Sequence, residues 1–261
     1  MTPKVIVLTG ASSGIGAAAA RRLGAQGHQL VLAARREAEL RAVARDAGAA
    51  ALPVVTDVCV RADVERLRDA ALERFGHVDV WINNAGRGIT RPVLELTDDD
   101  VDAMIAVNLK SALYGMQAIV PHFQSRGAGH LINVSSMLGR VPFVPVRSAY
   151  NAAKHGLNAL TANLRMDLRR THPGIHVTLV MPGVVTTDFS RNALHGTTAP
   201  PGAGGPAGQT ADDVAAVLES VIDAPRPDVY TSPALAERAR KYYEDVAAFE
   251  DGLAAAARPH P

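Results

Sequence analysis

The chain has 261 residues, 48% hydrophobic and 20% charged, with 27 Lys plus Arg against 26 Asp plus Glu. A net charge of +1 and 4% aromatic residues provide neither a basic field nor a stacking surface, so no nucleic-acid partner is expected. The single cysteine, Cys59, excludes an internal disulfide framework and a cysteine-based zinc site, and no apolar run is long enough for a bilayer span, so no membrane partner is expected.

Met1-Thr2-Pro3-Lys4 leads straight into Val5–Leu8, a compact β-branched run that reads as a buried strand. This start lacks the charged, apolar and small-residue regions of a signal peptide, so a soluble cytoplasmic protein is expected. Ile15–Gln26 is an alanine-rich helix stopped by Gly27. Gln29–Ala34 reads as the second strand, Glu37–Asp46 as a helix, Leu52–Thr56 as a strand, and Arg61–Phe75 as a helix closed by Gly76. Val78–Ile82 is the fourth strand. Thr97-Asp98-Asp99-Asp100 caps one long helix toward Phe123, with Pro121 expected to disturb its last turn. His130–Val134 and Ile175–Met181 are strands on either side of a second long helix, Ala149–Arg170. Ala211–Ile222 is helical, Asp228–Thr231 a short seventh strand, and Ala234–Ala257 mostly helical.

Strand–helix alternation implies a doubly wound, Rossmann-like α/β fold, a parallel sheet of about seven strands with helices on both faces, because a parallel crossover needs a helix-length connection. A single domain over 1–257 is expected. Ala199–Gly208 is too rich in Gly and Pro for an element and is expected to be a mobile loop within a substrate lid over about 188–210; residues 258–261 are expected to be a disordered tail.

Between the first strand and the first helix stands Thr9-Gly10-Ala11-Ser12-Ser13-Gly14-Ile15-Gly16. A diphosphate has to approach backbone N–H groups at a helix N-terminus, and only glycine allows the tight turn and the close contact. The spacing is Gly-x3-Gly-x-Gly, and its place between strand and helix favours dinucleotide binding over a plain turn. Gly10, Ser12, Ser13, Gly14, Ile15 and Gly16 are thus candidate cofactor residues.

An NAD site needs a carboxylate at the end of the second strand for the ribose 2′-hydroxyl. The chain has Ala33-Ala34-Arg35-Arg36 there. A guanidinium suits a 2′-phosphate, which favours NADP(H) over NAD(H) by up to ~100-fold on that contact. The alternative for these two arginines, chiefly Arg36, is a pair of solvated charges at a helix start.

Tyr150 and Lys154 lie four apart at the start of a helix and share one face. A neighbouring ammonium and the positive end of the helix both favour the phenolate, which lets a weakly acidic phenol exchange protons nearer working pH. The same spacing is also common on plain helix surfaces.

With Tyr150-Asn151-Ala152-Ala153-Lys154 added to the glycine turn, the chain resembles the short-chain dehydrogenase/reductase superfamily in its simple single-domain branch, from about Lys4 to Asp188. The resemblance rests also on Asp57-Val58, Asn83-Asn84-Ala85-Gly86, Asn108, Ser136 and Pro182-Gly183, in order and each at the expected strand end. It implies one dinucleotide-binding and catalytic domain. Asp57 and Val58 would lie at the adenine, and Asn84, Ala85 and Gly86 would close over the cofactor. Pro182, Gly183, Val185 and Thr187 would serve the nicotinamide end. The family's active serine stands three residues before a glycine, so Gly139 selects Ser136 and leaves Ser135 as a structural hydroxyl. The Ser136–Tyr150 separation is one residue longer than usual, with the extra residue falling in 140–147. Asn108 would open its helix locally and hold a water linking Lys154 to solvent.

The implied reaction is hydride transfer between NADPH and a ketone or aldehyde carbon, reversible to the alcohol. Tyr150 is the acid/base, Ser136 holds the carbonyl oxygen, and Lys154 binds the nicotinamide ribose and tunes Tyr150. A 3-ketoacyl thioester reductase is one alternative; a non-catalytic NADP(H)-sensing regulator is another, disfavoured because Tyr150, Lys154 and Ser136 are all present. A homotetramer or homodimer is implied. Val141, Phe143, Val144 and Val146 lean toward apolar ketones. Arg147 is either an anchor for an acidic substrate or, preferred, a solvated loop charge. Cys59 reads as a buried small apolar residue, His155 as packing or surface, and no metal-ligand spacing appears, so no metal is expected.

Overall fold

The computed structural model describes residues 2–196 and 208–256. Its elements run β1 (Val5–Thr9), α1 (Gly14–Ala25), β2 (Gln29–Ala34), α2 (Glu37–Ala47), β3 (Ala51–Val55), α3 (Arg61–Phe75), β4 (Val80–Asn83), α4 (Asp98–Ile105), α5 (Ser111–Arg126), β5 (Gly129–Val134), α6 (Ser148–Thr171), β6 (Ile175–Met181), α7 (Ala211–Asp223), β7 (Asp228–Tyr230), α8 (Pro233–Glu244) and α9 (Val246–Ala256). The seven strands form one sheet in the order β3-β2-β1-β4-β5-β6-β7, parallel throughout. The strand order reverses between β1 and β4. That reversal opens a crevice at the carboxyl ends of the strands, where β1 delivers the glycine turn.

Both faces of the sheet are covered, which is why the strands read as continuous apolar runs. Ile6, Leu8, Leu32, Ile82 and Val180 pack with α1, α2 and α7 residues such as Leu23, Leu40 and Leu218. Val5, Val7, Val31, Trp81 and Leu131 face the other way, against Leu67 of α3, Ile119 and Phe123 of α5, and Leu157 of α6.

Several boundaries depart from the expected ones. Val78 is not in the fourth strand, because its N–H donates to His122 Nε2 at 3.2 Å and its carbonyl accepts from Arg126 at 2.7 Å, so the ladder starts at Val80. The long helix from Asp98 is broken into α4 and α5 by a π-helical turn over Ala106–Lys110. Pro121 does not end it: Pro121 and Gln117, whose carbonyl loses its partner, both lie on the exposed face, and the helix continues to Arg126. By length and apolarity the helical run Asp98–Arg126, π-turn included, could cross a membrane, but its apolar side is spent on the core through Met104, Met116, Ile119 and Phe123. The C-terminal helix is two helices, because Asp245 is extended and its carboxylate accepts the Ala248 N–H at 2.9 Å, capping α9.

Of the expected lid, 188–196 and 208–210 are described, and the expected 258–261 tail lies outside the described residues. Residues 188–196 are tied to the segment after β4: Leu194 N–H donates to Gly88 at 2.9 Å and Thr90 N–H to Leu194 at 2.8 Å.

Candidate active site

The glycine turn is packed so closely that side chains are excluded. Gly10 has φ +68°, and a Cβ there would sit 2.8 Å from Ala85 Cα; a Cβ on Gly16 would sit 2.2 Å from the Gly10 carbonyl oxygen. Gly14 is also left-handed, at φ +53°. Asn84 locks the turn from β4 by donating to the Thr9 carbonyl at 3.0 Å, while Thr9 Oγ1 accepts the N–H groups of Asn84 and Ala85. Ser13 precedes α1 without capping it by its side chain, which leaves the first-turn N–H groups for another acceptor. Such a turn could hold a diphosphate.

A cleft of about 640 Å³ runs from this turn along the strand ends. All the proposed catalytic and cofactor residues line it except Asn108. At one end Arg36 donates to Ser12 Oγ at 3.1 Å and Ser13 Oγ at 2.7 Å, with Arg35 on the same wall. Arg36 thus reaches the glycine turn while staying exposed and pairing with Glu39 at 3.7 Å, so the solvated-charge alternative is not overturned. Asp57 and Val58 form the adjoining wall; the Asp57 carboxylate accepts the Cys59 N–H at 3.0 Å, and Cys59 is half-buried on that wall rather than in the core.

At the other end stand Ser136, Tyr150 and Lys154. Ser136 follows β5 with its hydroxyl accepting the Leu138 N–H at 3.1 Å. Ser135 points away and donates to Asn158 at 2.5 Å, which makes it the structural hydroxyl. Tyr150 lies in the first turn of α6 and is buried; burial pushes its phenol up to about 12, against the pull of the neighbouring Ser136 hydroxyl and Arg147 charge. Lys154 is 3% exposed, donates to the Val134 carbonyl at 2.9 Å, and is pushed down to about 7 by burial. Its ammonium lies 5.7 Å from the Tyr150 ring centre. The phenol is thus raised where a lowering by lysine was expected: the pull on it comes from Ser136 and Arg147, not from Lys154, and the loss of water outweighs that pull.

Asn108 is buried behind Gly86, in the π-turn, instead of on the cleft wall. Its amide nitrogen donates to the Arg87 and Met104 carbonyls at 2.9 and 3.1 Å, and its oxygen accepts the Arg87 N–H at 3.1 Å. It opens the helix as expected. The space at Gly86 separates its oxygen from Lys154: a Cβ there would lie 2.9 Å from Asn108 Oδ1 and 3.7 Å from Lys154 Nζ.

Among the residues expected at the nicotinamide, the Pro182 carbonyl accepts the Met137 N–H at 2.7 Å, Gly183 packs under Leu235, and Thr187 covers Gly14. Val185 pairs with Gln209, but through its neighbours: Thr186 N–H donates to Gln209 and Gln209 N–H to Val184, each at 2.9 Å. That geometry turns the N–H and carbonyl of Val185 toward the other side, the cleft.

Phe143 and Val144 line the cleft, whereas Val141 is buried in a separate core beside Met137 and Val146 faces outward. The apolar wall is completed by Val107, Leu138 and Phe189, the last edge-on to Tyr150 with ring centres 5.7 Å apart. Arg147 is a correction: it lines the cleft, half-buried, and donates to the Ile89 carbonyl at 3.0 Å and Ser190 Oγ at 3.2 Å. Burial of a loop residue leaves no periodic signal, so the sequence did not reveal it. Among the described residues no group of three His, Cys, Asp or Glu side chains could hold a metal.

A family model described as short chain dehydrogenase matches residues 4–197. An uncharacterized oxidoreductase of Staphylococcus epidermidis is 36% identical over 193 residues, 74% of this chain and 83% of its own. A short chain dehydrogenase/reductase of Burkholderia phymatum in complex with NAD superposes with a TM-score of 0.83 and 32% identity over 94% of each chain. A metagenomic short-chain oxidoreductase in complex with NADP does so with a TM-score of 0.72 and 34% identity, covering 87% of this chain and 95% of that one.

Proposed function

The chain belongs to the short chain dehydrogenase family of oxidoreductases, and on that premise we propose that it interconverts a ketone or aldehyde and an alcohol with NADP(H), in preference to NAD(H), as cofactor. The observation that carries this reading is the burial of Ser136, Tyr150 and Lys154 at one end of the cleft whose other end is the glycine turn and the arginine pair.

The cradle fits a dinucleotide because Gly10 and Gly16 have no room for a side chain, so backbone N–H groups are what an incoming diphosphate meets. When bound, the nicotinamide supplies or accepts the hydride. Arg36, held by Ser12 and Ser13, and Arg35 beside it present guanidinium groups to a 2′-phosphate, a planar match that a carboxylate at this position would repel. The backbone of Val185 offers one donor and one acceptor to a carboxamide. Tyr150 holds its proton at neutral pH and passes it to the carbonyl oxygen as charge develops there. The Ser136 hydroxyl donates to the same oxygen. Lys154 anchors ribose hydroxyls and hands a proton back to Tyr150, with Asn108 bordering the route at Gly86.

Several substrates remain compatible, and the apolar wall of Val107, Leu138, Phe143, Val144 and Phe189 favours an uncharged body next to the carbonyl. A carbonyl panel with NADPH, followed by loss of nicotinamide absorbance, tests the activity. Turnover by wild type and its collapse in Tyr150→Phe supports the reading; NADPH binding without turnover of any carbonyl would favour a cofactor sensor. A homodimer or homotetramer in the cytoplasm is part of the same proposal, checked by light scattering and cell fractionation.

A further inference from the structure

We infer that Arg147 selects the substrate, and that the carbonyl compound carries a carboxylate close to its reacting carbon. The inference rests on the reductase reading above and narrows its substrate class to oxo acids.

Arg147 stands immediately before α6, one turn ahead of Tyr150, and its guanidinium forms part of the cleft wall. Its two hydrogen bonds go to the Ile89 carbonyl and the Ser190 hydroxyl, both neutral. They use two of the five N–H donors and none of the charge. The acids around it are committed elsewhere. Asp188, also on the cleft, pairs with Arg191 at 3.2 Å, and Asp100 accepts from Arg91 at 2.7 Å and His195 at 2.8 Å. Residues 197–207 contain no Asp or Glu. The other charged side chains at this end, Lys154 and Arg87, are cations too; Arg87 is exposed, so water screens its charge, and it donates to the Asn192 carbonyl at 2.9 Å.

Arg147 is thus a half-buried cation with no ion-pair partner among the described residues. Tying down 188–196 needs only hydrogen-bond donors, and a neutral side chain would do that without the desolvation cost of a charge. A bound anion offsets that cost. Room for the fork is built in: a Cβ on Gly88 would lie 2.8 Å from Arg147 Nη1 and 2.9 Å from the Phe189 ring edge. Phe189 in turn meets Tyr150 edge-on. A carboxylate on Arg147 is therefore a near neighbour of a carbonyl held at Tyr150, as in a 2-oxo or 3-oxo acid. Leu138, Phe143 and Val144 are left for an apolar chain.

The test uses matched pairs, benzoylformate with its methyl ester and 3-oxohexanoate with its methyl ester, reduced with NADPH by wild type, Arg147→Gln and Arg147→Lys. For at least one pair, wild type should prefer the acid in kcat/KM by about ten- to a hundred-fold, as a charge-assisted bidentate contact implies. Arg147→Gln should bring that ratio near one through KM of the acid. Arg147→Lys keeps the charge without the fork and should retain part of the ratio; it carries the comparison if Arg147→Gln does not fold. Equal use of acid and ester by wild type, or a ratio indifferent to Arg147→Gln, overturns the inference and leaves the reductase reading standing. If none of the four compounds turns over, the reductase reading is left to the carbonyl panel, and saturation-transfer NMR decides the anion site separately. A signal for the acid but not the ester, lost in Arg147→Gln, supports it; no difference between acid and ester overturns it.

Discussion

Lys154 lies 5.7 Å from the centre of the Tyr150 ring, with its ammonium hydrogen-bonded to the Val134 carbonyl at 2.9 Å and no carboxylate partner among the described residues. Burial pushes the lysine down to about 7 and the tyrosine up to about 12. A lysine whose folded value lies below its unfolded value of 10.5 binds fewer protons when folded between those two values. Stability therefore rises with pH across that window, and the cost of the buried cation is complete below it. Lys154→Met removes the cation. It should melt above wild type at about pH 6, by about 2–4 °C for each kcal/mol relieved, and lose that advantage as pH climbs toward about 10. Activity should fall in the same variant. Thermal melts across that range decide the matter; a difference that does not vary with pH would contradict it.

Tyr150 is protonated throughout the neutral range, so it is ready to donate and must be deprotonated to accept. Reduction should decline as pH rises through about 7, where Lys154 loses the proton it hands back, and alcohol oxidation should climb toward alkaline pH with the phenolate fraction, about tenfold per unit below the phenol's own value. Tyr150→Phe should lower both directions by ~10²–10⁴-fold, with a far smaller effect on NADPH affinity. Steady-state rates at several pH values, paired with a fluorescence titration of NADPH, check both parts. An oxidation rate independent of pH would point to another base.

Arg36 reaches back to Ser12 and Ser13, which places a guanidinium against the glycine turn. Arg36→Ala and Arg35→Asp should each weaken NADPH by roughly ten- to a hundred-fold while changing NADH much less. Dissociation constants for the two cofactors in three proteins are sufficient. A variant whose preference is unaltered takes its arginine out of the phosphate site.

The sheet was legible because it is buried on both faces: runs such as Val5–Leu8 and Gln29–Ala34 have no polar alternation to confuse. The cleft's two ends were legible because each depends on residues with one chemical use, glycines that cannot carry a Cβ and a phenol one turn from an amine. Asn108 was legible, through the resemblance, as a residue that opens its helix, though not that its amide would be spent on the Arg87 and Met104 backbone. Arg147 and the outward Val146 were misjudged for one reason. In an irregular loop, adjacent side chains follow no period, and which of them faces the cleft is settled by contacts with Ile89, Arg91 and Ser190 far along the chain. The same holds for Val78, whose backbone is taken by two side chains of α5.

Residues 188–196 are held over the cleft partly by Asp100, which accepts from His195 at 2.8 Å, from the Thr97 N–H at 3.2 Å and from Arg91 at 2.7 Å. The His195 contact, with help from Thr97 and Arg91, holds this carboxyl far below the usual carboxylate range despite the opposing effect of burial. A carboxyl depressed in the folded state contributes stability that is complete above its unfolded value near 3.8 and is lost as pH falls through the folded one. Asp100→Asn should reproduce that loss at neutral pH. The amides to watch are Thr90 and Leu194, whose hydrogen bonds to Leu194 and Gly88 join the two segments at 2.8 and 2.9 Å. Their hydrogen-exchange protection should drop in Asp100→Asn and in His195→Ala, while amides of β1 such as Leu8 keep theirs. Substrate KM should rise more than kcat falls, because the change loosens a wall of the cleft and leaves Tyr150 in place. Undiminished protection at Thr90 and Leu194 would mean that the backbone bridge holds the segment without the carboxylate.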